Sequence, residues 1–249
     1  MLTIPAWTIM VMTCITEQDI ITRTIMSKES AITANLSHFP QSGEKMVIVK
    51  EVEGNILDAK EKWIAQQCNC VTIKSHGLSA AITARFPYAN PYAGRRAQSA
   101  NTAAASARDR PGSIRIMSPE EEEDGDGKDI ICMFAQWAPG KPMAYARHYP
   151  NPPNGDSDNA EARVLWFTEC LHAIEADESI DGPVAVPFQI GCGLAGGAWH
   201  VYEGMLRGST TEFAIYRLPS ITGAKRTIKS GAGAGAGVDM GMDAKKSRH

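Results

Sequence analysis

Four short segments hold the side chains and glycines with which this chain could do chemistry, and each follows an apolar run. The densest is Gly191-Cys192-Gly193-Leu194-Ala195-Gly196-Gly197, between an apolar run near Phe188 and a helix-like stretch that starts at Trp199. Glycines lack a Cβ, so several main-chain N–H groups can line a concave anion site. The helix start adds partial positive charge. Gly191, Gly193 and Gly196 have the spacing Gly-x-Gly-x-x-Gly, but late in the chain rather than after the first strand. No Gly-Lys-Ser/Thr follows, so the segment is neither a Rossmann opening nor a P-loop. A second segment, Cys68-Asn69-Cys70 continuing to His76-Gly77-Leu78-Ser79, ends a strand and opens a helix. Asn69 there either meets a sugar hydroxyl or ties its own loop together, because an amide is expensive to bury alone. Gly77 lets an anion approach the helix N-terminus. The third is Gly54-Asn55-Ile56-Leu57, where Gly54 permits a tight turn. Asn55 offers an amide that both donates and accepts; an ordinary strand-ending turn is the other reading. The fourth, Gln136-Trp137-Ala138-Pro139-Gly140-Lys141-Pro142, either walls a pocket or is a surface turn set by Pro139-Gly140. Trp137 or Tyr145 would supply a stacking ring.

These segments need strands and helices to hold them. Apolar and β-branched runs predict strands over residues 46–52, 67–71, 114–117, 130–135, 184–188 and 213–217. The run 130–135 reads as fully buried. Helical spacing predicts helices over 78–86, ended by Pro87, over 159–176 with Asp158 as N-cap, and over 199–207. Residues 95–111 fit helix or loop. Strands alternating with helices imply a three-layer αβα sandwich around a mixed, mostly parallel sheet. In open sheets of this kind, ligands bind beyond the carboxyl ends of the strands.

The chain has 249 residues and a formal net charge of −3. That length suits one domain with appendages. Residues 1–44 read as a poorly structured extension and 45–220 as the folded domain. Residues 221–249, with alternating Gly and Ala and a basic end, read as a flexible tail. The mild charge gives no reason to expect nucleic-acid binding. No apolar run approaches the roughly 20 residues that span a bilayer, and residues 1–15 lack the features of a signal peptide. The expected setting is cytoplasmic, with the nucleus as the alternative. The six cysteines show no zinc-ligand spacing, and the acidic run 120–126 reads as a solvated loop. No metal and no cofactor are expected.

Together the four segments resemble the macro domain family, and most closely its branch of small proteins that process ADP-ribose 1″-phosphate. The resemblance covers about residues 47–218. It implies an αβα sandwich that binds ADP-ribose, or an ADP-ribosylated protein, in a cleft at one end of the sheet. Asn55 and Ile56 would meet the adenine. Gly77, Leu78 and Ser79 would flank the diphosphate and distal ribose, and Asn69 would hold a distal-ribose hydroxyl. Gly191, Cys192, Gly193, Leu194, Ala195, Gly196 and Gly197 would wrap the diphosphate. Arg163 and Phe167 fall in its connecting region. Two departures matter. Asn55 stands where many members carry an acid, and Ala198 stands where close relatives carry Asp before the Trp. A methyl group neither accepts a proton nor orients water. For hydrolysis, His76 is then the nearest titratable group, with Asn69 beside it. The resemblance implies hydrolysis of a distal-ribose phosphate or ester, or a reader that binds ADP-ribose without turnover.

Overall fold

A computed structural model describes residues 49–120, 127–144 and 147–219. The expected extension 1–44, the tail 221–249, the acidic residues 121–126 and Tyr145 lie outside the described residues.

Among the described residues, six strands form one sheet: β1 (Lys50–Glu53), β2 (Trp63–Asn69), β3 (Ile114–Met117), β4 (Asp129–Gln136), β5 (Val184–Pro187) and β6 (Phe213–Arg217). Their order is β1-β6-β5-β2-β4-β3. All neighbours are parallel except the antiparallel pair β3 and β4. The helices are α1 (Leu78–Arg85), α2 (Ala160–Ala176) and α3 (Trp199–Gly208). The connection from β2 to β4 moves one way along the sheet; those from β4 to β5 and from β5 to β6 move the other way. Right-handed crossovers therefore put α1 on one face and α2 with α3 on the opposite face. The fold is α/β with a mixed, mostly parallel sheet, as the alternation of elements predicts.

Burial follows from this layering. All eight residues of β4 are buried, because the strand has a neighbour on each side and a covered face above and below. The expectation for β2 was 67–71, but the strand runs from Trp63 to Asn69. Polar Gln66 hid its beginning: the side chain is buried, and its Nε2 donates to Cys132 Sγ at 3.5 Å. Its register with β4 shifts between Gln67 and Asn69, and the strand ends at Asn69. Residues 95–111 are loop, apart from a short 3-10 turn at Ala105–Ala107.

In α2 the buried residues are Arg163, Trp166, Phe167, Cys170, Leu171 and Ile174. That is one helical stripe with i, i+3, i+4 spacing. Val164 and Leu165, which look like core positions in the sequence, are only half-buried. The N-cap is Asn159, not Asp158; the Asn159 side chain accepts from Ala162 N at 2.7 Å. The two outer strands, β1 and β3, are four residues each.

Candidate functional site

Parallel strands present their carboxyl ends at one edge, where the loops that follow them gather. Glu53, Asn69, Gln136 and Pro187 end β1, β2, β4 and β5. All four segments singled out in the sequence therefore leave the sheet at the same edge.

The loop after β2 is shaped by Asn69. Its Oδ1 accepts from Val71 N at 3.2 Å and Thr72 N at 2.8 Å, and its Nδ2 donates to Tyr92 Oη at 3.2 Å. Asn69 is 7% exposed. The buried amide is thus engaged in folding its own loop, the second of the two roles its sequence allows. Arg95 fastens the same loop: it donates to Thr72 O at 2.5 Å and Asn69 O at 3.3 Å, and pairs with Asp109. The loop leads through exposed His76 and Gly77 into α1. Gly77 has φ 56°, which favours glycine. Leu78 is half-buried, and Ser79 is buried in the first turn. Ser79 Oγ meets no hydrogen-bond partner among the described residues.

The glycine-rich loop after β5 turns back over the sheet. Gly191 has φ 71°, and a Cβ there would press on Gln67 and lie 2.7 Å from Tyr202 Cε1. A Cβ on Gly197 would lie 2.6 Å from the same ring. These two glycines let the main chain close down on Tyr202, which is 2% exposed. Internal bonds brace the turn, from Cys192 N to Gln189 O at 2.9 Å and from Gly197 N to Gly191 O at 2.9 Å. Exposed Leu194 then reaches the other loop: its Cδ1 lies 3.4 Å from where a Gly77 Cβ would stand. Among the described residues, no acceptor meets the N–H of Gly77, Leu78 or Ser79, nor that of Gly191, Gly193, Leu194 or Ala195. Such amides are what an anion needs. Burial pushes the Cys192 thiol up to about 11, so at neutral pH it stays a protonated thiol rather than a nucleophile.

A buried ion pair ties this loop to the fourth segment. Arg163 Nε donates to Asp158 Oδ1 at 2.6 Å and Nη2 to Oδ2 at 2.7 Å. The remaining guanidinium donors reach Ala138 O at 3.1 Å, Gly140 O at 2.6 Å and Ala195 O at 3.0 Å. Asp158 also accepts from Ala138 N at 3.0 Å. One side chain on α2 thus pins the loops that follow β4 and β5. Gly196, with φ 74°, packs on Lys141: a Cβ there would lie 2.9 Å from Lys141 Cγ. Trp137 is not a stacking wall. It is 4% exposed, and its Nε1 donates to Pro150 O at 2.5 Å.

The third segment forms a corner with the ends of β5 and β6. Gly54 N donates to Arg217 O at 2.9 Å, and Phe188 N to Tyr216 O at 2.8 Å. Asn55 is exposed and caps a 3-10 turn, its Oδ1 accepting from Leu57 N at 3.1 Å. Ile56 is buried in the hydrophobic core. The Arg217 guanidinium lies 3.3 Å from the Phe188 ring centroid, and Trp199 meets Phe188 edge-on at 5.0 Å.

Sequence reading missed Arg163 with Asp158, Tyr92 with Arg95, and the Arg217–Phe188 stack. Arg163, Asp158 and Arg95 sit in polar or helical contexts that read as surface, and only the burial of their side chains reveals them; Arg217 stays half-exposed and shows only through its contact with the Phe188 ring. Among the described residues, no group of three His, Cys, Asp or Glu is placed to hold a metal ion. Among the described residues, no helix is long and apolar enough to cross a membrane.

No protein-family model matches the chain, and no curated protein is significantly similar to it. Among solved structures, it is similar to the macrodomain of Thermus aquaticus DarG, at 16% identity and a TM-score of 0.45, over 68% of this chain and 98% of that one. It is similar to the macrodomain of Mycobacterium tuberculosis DarG, at 16% identity and a TM-score of 0.44, over 70% of this chain and 99% of that one. The alphavirus P23pro-zbd structure is similar at 18% identity and a TM-score of 0.42, over 71% of this chain; the chain spans 22% of that structure's length.

Proposed function

We propose that residues 45–220 form a macro domain that binds ADP-ribose or one of its derivatives at the carboxyl edge of the sheet. One observation carries this reading: two loops, each with several main-chain amides that no acceptor meets among the described residues, come together at Gly77 and Leu194. A diphosphate laid between them would accept from the amides of Gly77, Leu78 and Ser79 on one side and from those of Gly191, Gly193, Leu194 and Ala195 on the other. The N-terminus of α1 adds its partial positive charge. The Arg163–Asp158 pair holds the second loop in place, so little ordering is left to occur on binding. Asn55 lies at the end of this edge where the base would sit.

Binding without turnover is the reading that the geometry favours. The Asn69 oxygen already serves two amides, and the methyl of Ala198 offers no base. Hydrolysis of a distal-ribose phosphate or ester is the second reading. It rests on His76, which is exposed one residue from the place where the loops meet.

Titration calorimetry of the full chain with ADP-ribose tests binding, and a saturable heat is expected. No heat at millimolar ligand would remove the proposal. Incubation with ADP-ribose 1″-phosphate separates the two readings: released phosphate that disappears in His76→Ala, with binding retained, establishes the enzyme.

A further inference from the structure

Residues 70–117 carry six arginines, one lysine and a single acid, Asp109, in a chain whose net charge is −3. Asp109 is already held between Arg95 and Arg115. Two of the remaining cations stand on a strap, residues 96–108, that folds back on itself. Ala104 N donates to Arg96 O at 2.8 Å, and a bond from Ala103 N to Val71 O at 2.8 Å fastens the bend to the loop after β2. Arg96 Nη2 donates to Ser106 Oγ at 3.0 Å. Arg108 donates to Ala103 O at 3.0 Å and to Gln98 Oε1 at 2.7 Å. Lys74 is exposed beside them, two residues after Thr72, which bridges Thr102 of the strap. Among the described residues, no carboxylate pairs with Lys74, Arg96 or Arg108. Their partners are uncharged, so this bend holds positive charge that the fold does not neutralise.

We infer that the strap is a docking surface for acidic polypeptide on either side of an ADP-ribosylated residue. This rests on the ADP-ribose reading above and names what is joined to the ligand. With its base at Asn55 and its diphosphate between Gly77 and Leu194, the ligand runs along the edge from β6 past β5 to β2. Its distal ribose then points to the far side of the loop after β2. The strap lies on that side and continues toward β4: Asp109 N donates to Cys70 O at 3.3 Å and Gly112 N to Phe134 O at 3.0 Å. A chain joined to the ribose leaves the cleft over Lys74, Arg96 and Arg108. A guanidinium has five N–H donors, and Arg96 spends one of them on Ser106. Carboxylates of the joined chain therefore meet charged donors without breaking an existing ion pair. A nucleic-acid strand fits the same bend less well. Residues 93–110 include no aromatic side chain on which a base could stack.

The test is titration of the full chain with three probes. They are free ADP-ribose, a non-hydrolysable ADP-ribosyl peptide with glutamates flanking the modified residue, and its twin with glutamines there. At low salt the glutamate peptide should bind on the order of tenfold tighter than the glutamine peptide, the sum of two or three exposed ion pairs. High salt should close the gap by screening. Lys74→Gln combined with Arg96→Gln should remove the gap and leave the affinity for free ADP-ribose unchanged. Both positions are exposed, and neither side chain holds a cleft loop. Equal affinity for the two peptides, or a gap that survives in the double variant, would overturn the inference while leaving the cleft intact. Failure of free ADP-ribose to bind would overturn the cleft itself. A single-stranded oligonucleotide that binds the strap more tightly than the glutamate peptide would overturn the choice of polypeptide as the partner.

Discussion

Gly191 and Gly193 are two residues apart in one loop, yet the structure gives them opposite sensitivities. At Gly191 a positive φ and the Tyr202 ring, 2.7 Å from an added Cβ, oppose any side chain. Gly191→Ala should lower unfolding free energy by roughly 2–4 kcal/mol. Gly193 has ordinary φ and nothing within 4 Å of an added Cβ, so Gly193→Ala should change stability by less than about 0.5 kcal/mol. Urea unfolding of the two variants checks this, and equal losses would show that the loop is not packed as described. Glu169 offers a pH test. Burial raises its carboxyl above the usual range, with Arg110 opposing. A raised acid favours the folded state at low pH, and this contribution is lost as pH rises through the folded value. Glu169→Gln should therefore raise the unfolding temperature at pH 7 and lose that advantage near pH 4. A constant difference across that range would contradict it.

At the scale of elements, the Arg163–Asp158 pair decides how the loops are held. Both residues are nearly inaccessible, at 1% and 8% exposure. Breaking such a pair from one side leaves a buried charge and costs about 3–5 kcal/mol, so Arg163→Met should be among the most damaging single changes. Asp158→Asn removes the partner charge but keeps an acceptor for Ala138 N. Combining the two should recover about 1–3 kcal/mol against the sum of the single losses; simple additivity in thermal or denaturant unfolding would deny the coupling. This pair also shows where sequence reading stops. Apolar runs and helical spacing locate nearly every strand and helix to within a few residues, because burial of apolar side chains makes those patterns. A buried arginine leaves no such trace. Its position in the stripe of α2 is legible only once Asp158 and three carbonyls are seen around it. The same holds for Gln66 in β2.

For the whole molecule, the order of the strands brings the four loops together. The types and sequence of elements suggest a parallel sheet, but β1 beside β6 and β5 beside β2 are pairings between distant residues that local patterns do not encode. With the order known, the location of a bound ligand becomes a sharp expectation. ADP-ribose at a hundredfold excess over its dissociation constant should add about 2.7 kcal/mol to stability. Hydrogen exchange should then slow at residues 76–79 and 191–198, at the carboxyl edge. Protection at residues 208–212 instead, near the amino end of β6, would place the ligand on the wrong side of the sheet.

The outer strands of this sheet have a consequence unrelated to ligands. A strand at a border carries main-chain groups that could pair with another polypeptide. Here each border strand spans four residues, with Lys50, Glu51 and Glu53 on one and Arg115 on the other. So short and so charged a margin gives a neighbouring molecule little on which to zip. Concentrated solutions of the folded protein should resist fibril growth, even though the strands between those margins are among the most apolar segments of the chain.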